Sequence, residues 1–319
     1  MGQDLVIGID VGGQTTKCGV VDARGTVIAQ TVIRSDTYTT FEPYVAELAE
    51  ALKKLIAEAN AEGNIRGIGV GAPNGNYYTG NIENAVNLTW GGTNILEFAK
   101  ILSEAMGGIP VSLTNDANAA AVGEMTYGAA RGMKNFIMIT LGTGVGSGIV
   151  INGEVVYGHD GFAGELGHTC AVRHNGRACN CGKTGCLETY CSAIGVARTA
   201  REWLEMSDEP SLLRSLDKIT SKDVYEAAKE GDKLAIKIFE YTGTVLGEKL
   251  ADFIEFSAPE AIVLFGGLAR SKEFLTEPIT KAMNANVLPL WRGKVKLVYS
   301  QLKESDAAIL GASALAWEL

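Results

Sequence analysis

Residues that commonly bind metal ions are concentrated in one segment of the chain. Five of the six cysteines and all three histidines lie between residues 158 and 191. In a reducing compartment, thiols at this density are typical of a metal site rather than of disulfides. Three thiolates and one imidazole would fill a tetrahedral Zn²⁺ shell and leave no open position, which predicts a structural zinc ion. The expected ligands are His168, Cys179, Cys181 and Cys186, and spacing leaves four alternatives open: His159, Cys170, His174 and Cys191.

Two glycine-rich turns follow apolar runs and could bind phosphate. In the first, a carboxylate stands before two glycines, two hydroxyls and an amine: Asp10, Gly12, Gly13, Thr15, Thr16 and Lys17. In the second, one hydroxyl stands between two glycines: Gly142, Thr143 and Gly144. Backbone N–H groups in such turns converge on phosphate oxygens, and a nearby carboxylate holds Mg²⁺, usually through water. Neither turn has the spacing of a Walker A loop or opens a helix, and the alternative explanation is that tight hairpins favour glycine.

A third group of polar residues could handle protons and hydroxyl groups. Asp116 follows a predicted strand at 110–113 and precedes an alanine-rich segment, so we expect it on a loop. Phosphoryl transfer to an alcohol needs a carboxylate that orients the hydroxyl and accepts its proton, and an Asp with a pKa of about 4 can do this at neutral pH. The alternative role for Asp116 is a helix N-cap. Glu165 and Glu188 could bind hydroxyl groups, and the alternative is that they are surface glutamates.

The elements that must position these residues follow the same plan in two parts of the chain. Each part has three short strands around a glycine turn and a later strand that ends in a glycine loop: 5–10, 17–22, 27–33 and 65–69, then 136–141, 148–151, 154–157 and 261–265. Hydrophobic spacing predicts helices at 42–61, 95–106, 193–205, 222–230, 233–256, 271–284 and 307–317. Two similar α/β halves would form a cleft with one glycine turn on each wall.

The composition excludes several classes of protein. The chain has 319 residues, of which 46% are hydrophobic and 20% charged, as is ordinary for a globular protein. Its net charge of −9 argues against a nucleic-acid or membrane-surface partner, because both are negatively charged. No apolar run reaches the roughly 18 residues of a membrane helix, and no secretory signal is visible. We therefore expect a cytoplasmic protein with no membrane and no nucleic-acid partner.

The two glycine turns resemble the phosphate-1 and phosphate-2 loops of the hexokinase–actin–Hsp70 ATPase superfamily. This resemblance implies that Gly266 and Gly267 form the adenosine loop and that Asp10 organises the Mg²⁺ of bound ATP. The Glu-x-Gly-His stretch that ends at His168, the Cys-x-Cys-Gly-x-x-Gly-Cys-x-Glu stretch at 179–188 and the Asn-Asp pair that ends at Asp116 are similar to the signature of the ROK family of repressors, open reading frames and sugar kinases. The resemblance covers essentially the whole chain.

The family resemblance implies a role for each site. It implies an ATP-dependent hexose kinase that phosphorylates glucose at O6, with Asp116 as the general base. The implied sugar-binding residues are Asn87, Asn115, Asp116, Glu165, His168 and Glu188, and His168 would also bind zinc through its other ring nitrogen. Two residues depart from the family pattern: Gln14 follows the glycines of the first turn, and Asn74 replaces a glycine in Gly-Ala-Pro-Asn-Gly. The second departure bears on sugar selectivity near the 2-position.

The resemblance also implies an α/β fold of two similar actin-like, ribonuclease-H-like domains that flank a cleft. The expected boundaries are 1–116 and 117–306, and the second domain carries the zinc-binding insertion at 158–191. A helix at about 307–319 is expected to pack back on the first domain. Since family members are commonly dimers or tetramers, we expect a homodimer.

Other proteins of the family share these motifs. Kinases of N-acetylmannosamine, N-acetylglucosamine, allose and fructose are the nearest alternatives. Sugar-responsive transcriptional regulators are a second class, but they carry a helix-turn-helix ahead of the first strand, whereas four residues precede Leu5 here. An actin-like assembly protein would need neither the cysteine block nor the Asn-Asp pair. A sugar kinase is therefore the favoured hypothesis.

Overall fold

The computed structural model describes residues 4–319, apart from the side chains of residues 304 and 305. The strands are β1 (Leu5–Val11), β2 (Thr15–Asp22), β3 (Val27–Arg34), β4 (Ile65–Gly71), β5 (Gly75–Asn76), β6 (Asn81–Glu83), β7 (Ile95–Leu96), β8 (Val111–Thr114), β9 (Phe136–Leu141), β10 (Val145–Ile151), β11 (Glu154–Val155), β12 (Ala261–Phe265) and β13 (Lys296–Tyr299). The α-helices are α1 (Phe41–Glu58), α2 (Phe98–Ala105), α3 (Asp116–Tyr127), α4 (Glu188–Cys191), α5 (Ala193–Met206), α6 (Ser221–Lys229), α7 (Lys233–Ser257), α8 (Lys272–Asn286) and α9 (Glu304–Leu315).

The predicted repeat is present as two five-stranded mixed sheets. Their strand orders are β3-β2-β1-β4-β8 and β11-β10-β9-β12-β13. In each sheet the first three strands form an antiparallel meander, and the other two run parallel to the strand at its centre. Parallel strands bring their carboxyl ends to one edge of a sheet, where ligands bind in α/β proteins. The two glycine turns and the residues after β8 and β12 therefore lie at these edges.

A hydrophobic core supports each sheet. Helix α1 buries one face on the first sheet, with Tyr44, Leu48 and Leu52 inaccessible to solvent, and α2 adds Phe98. The second sheet is covered by α5, α6, α7 and α8. Burial of each large apolar side chain stabilises the fold by roughly 1.5–3 kcal/mol, so both sheets are fixed independently of any ligand.

Helices α3 and α9 lie between the two sheets. A Cβ atom on Gly8 or Gly69 would collide with the carbonyl oxygens of Ile309 or Ala312, so α9 rests directly on β1 and β4. A Cβ atom on Gly148 of β10 would lie 2.7 Å from the Cβ of Ala121 in α3. Helix α3 therefore contacts the second sheet, whereas α9 contacts the first. Among the described residues, no helix combines the length and the hydrophobicity needed to cross a bilayer.

Four local features differ from the sequence predictions. The helix expected at 95–106 begins at Phe98, because β7 pairs with β6 and satisfies its backbone groups in a small sheet, β5-β6-β7. The strand expected at 154–157 pairs only over Glu154–Val155. Strand β13 was not predicted, although it is the edge strand of the second sheet. Asp116 is not on a loop but is the first residue of α3.

Candidate functional site

Asp116 lies at the start of α3, directly after β8. Asn115 is the N-cap, and its Oδ1 accepts the N–H of Ala117 at 2.8 Å. The N-cap interpretation therefore fits Asn115 and leaves the carboxylate of Asp116 for another role. The Asp116 side chain keeps access to solvent, but protein atoms crowd around it, and this burial raises its pKa. The same Ala117 N–H, 2.8 Å from Asp116 Oδ1, opposes the shift.

Asp10 and Asp116 line one cavity of about 170 Å³ between the two sheets. Thr140 at the end of β9 and Phe265 at the end of β12 line it as well. The pKa of Asp10 is raised to about 6, mainly by burial and also by the charge of Asp116, while Lys17 opposes the shift. Two carboxylates in a confined space repel each other, so they create a site for a cation such as Mg²⁺. The donor chemistry of Asp10 fits that ion.

The first glycine turn is supported from below by a buried hydroxyl cluster. Thr16 is inaccessible to solvent, and its Oγ1 lies 2.8 Å from Ser35 Oγ and 2.6 Å from Tyr44 Oη. Its side chain therefore supports the hairpin instead of facing a ligand. A Cβ atom on Gly13 would lie 2.9 Å from the carbonyl oxygen of Asn87, so the first turn contacts the loop with this predicted sugar-binding residue.

The second glycine turn is held at both ends by residues 188–193, which follow Cys186, the last cysteine of the predicted metal site. The turn is closed by the N–H of Gly142, which donates to the carbonyl of Gly144 at 3.0 Å. The N–H of Ala193 donates to the carbonyl of Gly142 at 2.8 Å. At the other end, the N–H of Val145 donates to Glu188 Oε2 at 2.9 Å. Glu188 therefore contacts the hairpin backbone directly.

His168, Cys179, Cys181 and Cys186 form a compact cluster of metal-binding atoms. One atom from each of the four residues lies within 4.8 Å of all the others. The Sγ atoms of Cys181 and Cys186 are 3.6 Å apart, and Cys179 Sγ lies 3.7 Å from His168 Nδ1. Zinc–sulfur bonds of roughly 2.3 Å in a tetrahedron place ligand atoms about 3.8 Å apart, so the cluster fits Zn²⁺.

One of the alternative metal ligands, Cys191, lies in the core away from the cluster. Its thiol donates to the carbonyl of Thr242 at 3.6 Å. Because Nδ1 of His168 faces the cysteines, Nε2 remains for a second partner. Burial raises the pKa of Glu165, His168 opposes this, and the charges of Asp116 and Glu188 raise it further. Asp116 and Glu188 therefore lie close enough to Glu165 for their charges to affect its carboxylate.

Asn74 has the backbone conformation that the family pattern reserves for glycine. Its φ is +52°, in the left-handed region that Asn tolerates better than most residues. Its Nδ2 donates to the carbonyl of Asn84 at 3.0 Å, and its own carbonyl accepts the N–H of Glu83 at 3.2 Å. Asn74 therefore preserves the turn and adds a side-chain hydrogen bond to the residue that follows β6.

The turn after β12 separates two further cavities. Gly266 lies against Leu141, and it lines a cavity of about 380 Å³ together with Tyr299 and Ser300. Gly267 lines a cavity of about 240 Å³ between this turn and the start of α6. Each cavity is lined by one of the two glycines that the resemblance assigns to the adenosine loop.

Several contacts between the two halves of the chain were not predicted from the sequence. Asn76, beside the predicted loop, donates from Nδ2 to the carbonyl of Asp160 at 2.9 Å, and Tyr78 donates to the carbonyl of Gly158 at 2.8 Å. The rings of Tyr77 and Tyr157 stack with centroids 4.0 Å apart. These contacts join the region around the small sheet to the segment before Glu165. The only sequence signal for these contacts is the pair of consecutive tyrosines, Tyr77 and Tyr78, shortly after Gly75.

Comparisons with known proteins agree with the motifs. The profile of the ROK family matches residues 6–318. A glucokinase of Halalkalibacterium halodurans is 37% identical over 310 residues, which cover 96% of this chain and 92% of that protein. The structure of a ROK family glucokinase from Streptomyces griseus, in complex with glucose and AMPPNP, is 31% identical and covers 99% of this chain and 100% of its own, with a TM-score of 0.79.

The fold is also shared with a regulator of the same family. A ROK family transcriptional regulator, a homologue of the E. coli MLC protein, has a TM-score of 0.87 at 26% identity. The match covers 98% of this chain and 78% of the regulator. Since the family profile extends over nearly the whole sequence and the relatives align along their length, this chain belongs to the ROK family.

Proposed function

We propose that this protein is an ATP-dependent hexose kinase that transfers the γ-phosphoryl group of ATP to O6 of glucose. The observation that carries the proposal is that Asp10 and Asp116 line one cavity between the sheets, together with Thr140. Asp10 and Thr140 lie near the ends of β1 and β9, the strands that lead into the two glycine turns. Glucokinases that are 37% and 31% identical along nearly their whole length support the same activity. The chain is thus an ATP-dependent sugar kinase, with glucose as the proposed acceptor.

Each part of the proposed site has its own role in the reaction. Backbone N–H groups of the turns around Gly13 and Gly144 would bind phosphate oxygens, and Asp10 would hold Mg²⁺ through water. Mg²⁺ held there would offset the negative charge of the ATP phosphates. Asp116 orients the sugar hydroxyl and accepts its proton, and its raised pKa makes it a stronger base than an Asp with the ordinary pKa. The adenosine part lies at Gly266 and Gly267, beside the cavities of about 380 and 240 Å³.

The sugar is held from two sides. Asn87 and Asn115 contribute amide groups from the first-sheet side, and Glu165 and Glu188 contribute carboxylates from the other side. His168 uses Nε2 for the sugar while Nδ1 binds structural zinc with the three cysteines. The protein is proposed to be a homodimer, with domains at 1–116 and 117–306.

A coupled assay with Mg·ATP over a panel of hexoses and N-acetylhexosamines tests the proposal. Glucose should have the highest kcat/KM, and Asp116→Asn serves as the inactive control. A preference for N-acetylmannosamine or N-acetylglucosamine would replace glucose as the acceptor but keep the kinase. Sugar binding by calorimetry without turnover of any sugar would support the second candidate, a sugar-sensing regulator, which the high TM-score to a ROK regulator favours.

A further inference from the structure

One carboxylate connects the cysteine block to the phosphate-binding hairpin. Glu188 comes two residues after Cys186, and its Oε2 accepts the N–H of Val145 at 2.9 Å. Val145 is the first residue of β10, directly after the turn of the second hairpin. We propose that Glu188 is a positioning residue of this hairpin: its carboxylate holds the turn at Gly142–Gly144 in the form that binds phosphate. The inference rests on the proposed function, because it takes ATP as the ligand of the hairpin.

The position of Glu188 is itself fixed by the core. Cys186 and Leu187 are inaccessible to solvent, and the N–H of Leu187 donates to the carbonyl of Thr169 at 2.9 Å. Thr189 Oγ1 donates to the carbonyl of Cys186 at 2.8 Å. The backbone at Glu188 therefore cannot move without breaking these contacts, and its side chain is a fixed acceptor for the hairpin.

Gly144 leaves the space that the carboxylate occupies. A Cβ atom on Gly144 would collide with Glu188 Oε2. The hairpin and the carboxylate are thus packed closely, and Ala193 secures the other end of the turn through the carbonyl of Gly142. Both ends of the turn are held by residues of one short segment, 188–193.

The role differs from that expected for a carboxylate beside phosphate. A negative charge near the γ-phosphate repels it, so a Glu here weakens nucleotide binding unless its hydrogen bond contributes more. Glutamine keeps an oxygen acceptor and removes the charge, whereas alanine removes both. The two substitutions therefore separate positioning from electrostatics.

Calorimetric titration of the full-length protein with Mg·AMPPNP, without sugar, is the test. Glu188→Ala should weaken binding about tenfold, which is the usual scale for a hydrogen bond to a charged group. Glu188→Gln should bind within about threefold of the wild type or more tightly. Glu165→Ala is the matched control, because in the described chain Glu165 makes no hydrogen bond to the hairpin. It should bind Mg·AMPPNP normally and lose affinity for sugar.

Amide exchange at Val145 gives a readout without turnover. The Val145 N–H should exchange faster in Glu188→Ala than in the wild type, with Glu188→Gln close to the wild type. If Glu188→Ala unfolds or loses its metal, Glu188→Asp replaces it, since its side chain is one methylene shorter and falls short of Val145.

The outcomes separate the two proposals. A Glu188→Ala protein that binds Mg·AMPPNP as tightly as the wild type, or more tightly, refutes the positioning role and leaves the kinase proposal intact. A wild-type protein that does not bind Mg·AMPPNP refutes the proposed function and the role of Glu188 with it.

Discussion

At the scale of single residues, the two carboxylates in one cavity are proposed to have different tasks because their neighbours differ. Asp10 is paired across the β1–β2 ladder with Lys17, which partly offsets its burial. Only backbone N–H groups, those of Ala117 and of Asp116 itself, oppose the effect of burial on the pKa of Asp116. The residue with a nearby cation suits a metal ion, and the residue without one suits a proton.

Asp116→Asn should lower kcat at least about 10²-fold, with sugar affinity less affected, because the amide cannot accept the hydroxyl proton. Asn115 remains as the N-cap, so α3 should keep its stability. Steady-state kinetics together with calorimetric sugar binding measure both quantities. Near-normal turnover would remove Asp116 from the catalytic role.

Asp10→Asn should stabilise the protein at neutral pH when Mg²⁺ is absent. The folded-state pKa of Asp10 is about 6, above its ordinary value of 3.8, so its contribution to stability is present below pH 3.8 and is lost as pH rises through about 6. Removal of the charge should therefore add up to about 3 kcal/mol at pH 7.5 and nothing below pH 4. Urea unfolding at both pH values, without Mg²⁺, measures the difference.

Asp22→Asn is a matched control with the opposite sign. Partial burial raises the pKa of Asp22. The N–H groups of Thr26 and Arg24 outweigh this effect and hold the pKa below its ordinary value. This variant should lose stability at neutral pH. Equal unfolding free energies for wild type and Asp10→Asn at pH 7.5 would contradict the prediction for Asp10.

At the scale of elements, the segment that carries the metal ligands, residues 168–186, is attached to the helices that contact the second glycine turn. Arg177, two residues before Cys179, is buried and donates to the carbonyl of Thr189 at 2.8 Å and to Thr199 Oγ1 at 2.9 Å. Its guanidinium also pairs with Glu202 at 2.5 Å. These contacts attach the segment to α4 and α5, which hold the second glycine turn.

Purified protein should contain about one tightly held zinc ion per chain, because a closed shell of four ligands resists chelation. Cys181→Ala should lose the zinc and the sugar affinity together, since His168 serves both. Elemental analysis and calorimetry provide the two measurements. Cys170→Ala is the control. Because Cys170 lies outside the four-residue cluster, this variant should keep the metal.

If carefully purified protein holds no zinc, or if Cys181→Ala phosphorylates sugar normally, zinc and sugar binding are not linked. Zinc retained by Cys181→Ala would instead point to a different ligand set.

Much of this architecture could be predicted from local sequence. The hairpin strands have alternating or fully buried apolar residues with glycine between them, so their pairing follows from short-range rules. The density of cysteines and histidines indicates a metal site, but their spacing leaves four alternative ligands open. Strand β13 and the small sheet could not be predicted in the same way, because β13 pairs with β12 from 35 positions away, Ala261 with Lys296. The contact of Glu188 with Val145 is likewise set by tertiary packing, and no sequence signal indicates it.

At the scale of the whole molecule, the proposed sugar site combines residues from both sides of the proposed cleft. We expect sugar to drive closure, because hydroxyls that bridge Asn87 and Asp116 to Glu165 and His168 bind only the closed form, and a ligand shifts an equilibrium only through such differences. Asn76 and Tyr78 already contact the segment 158–160 on one side of the site. Closure would exclude water and limit wasteful ATP hydrolysis.

Glucose at saturation should therefore reduce the radius of gyration in solution scattering, and Mg·ATP alone should reduce it less. ATP hydrolysis without sugar should be slow. A hexose that the assay shows not to be phosphorylated is the control for nonspecific effects. Scattering curves that a saturating, phosphorylatable sugar leaves unchanged would mean that the cleft is preformed.

The seating of α9 on β1 and β4 has a consequence for how the chain is made. The ribosome produces α9 more than two hundred residues after β4, which at roughly 5–20 residues per second takes about 10–50 s. During that time the glycines at 8 and 69 have no helix above them, so the first sheet is synthesised early and completed late. A nascent chain arrested before α9 would display this open face, where chaperones or other nascent chains could bind.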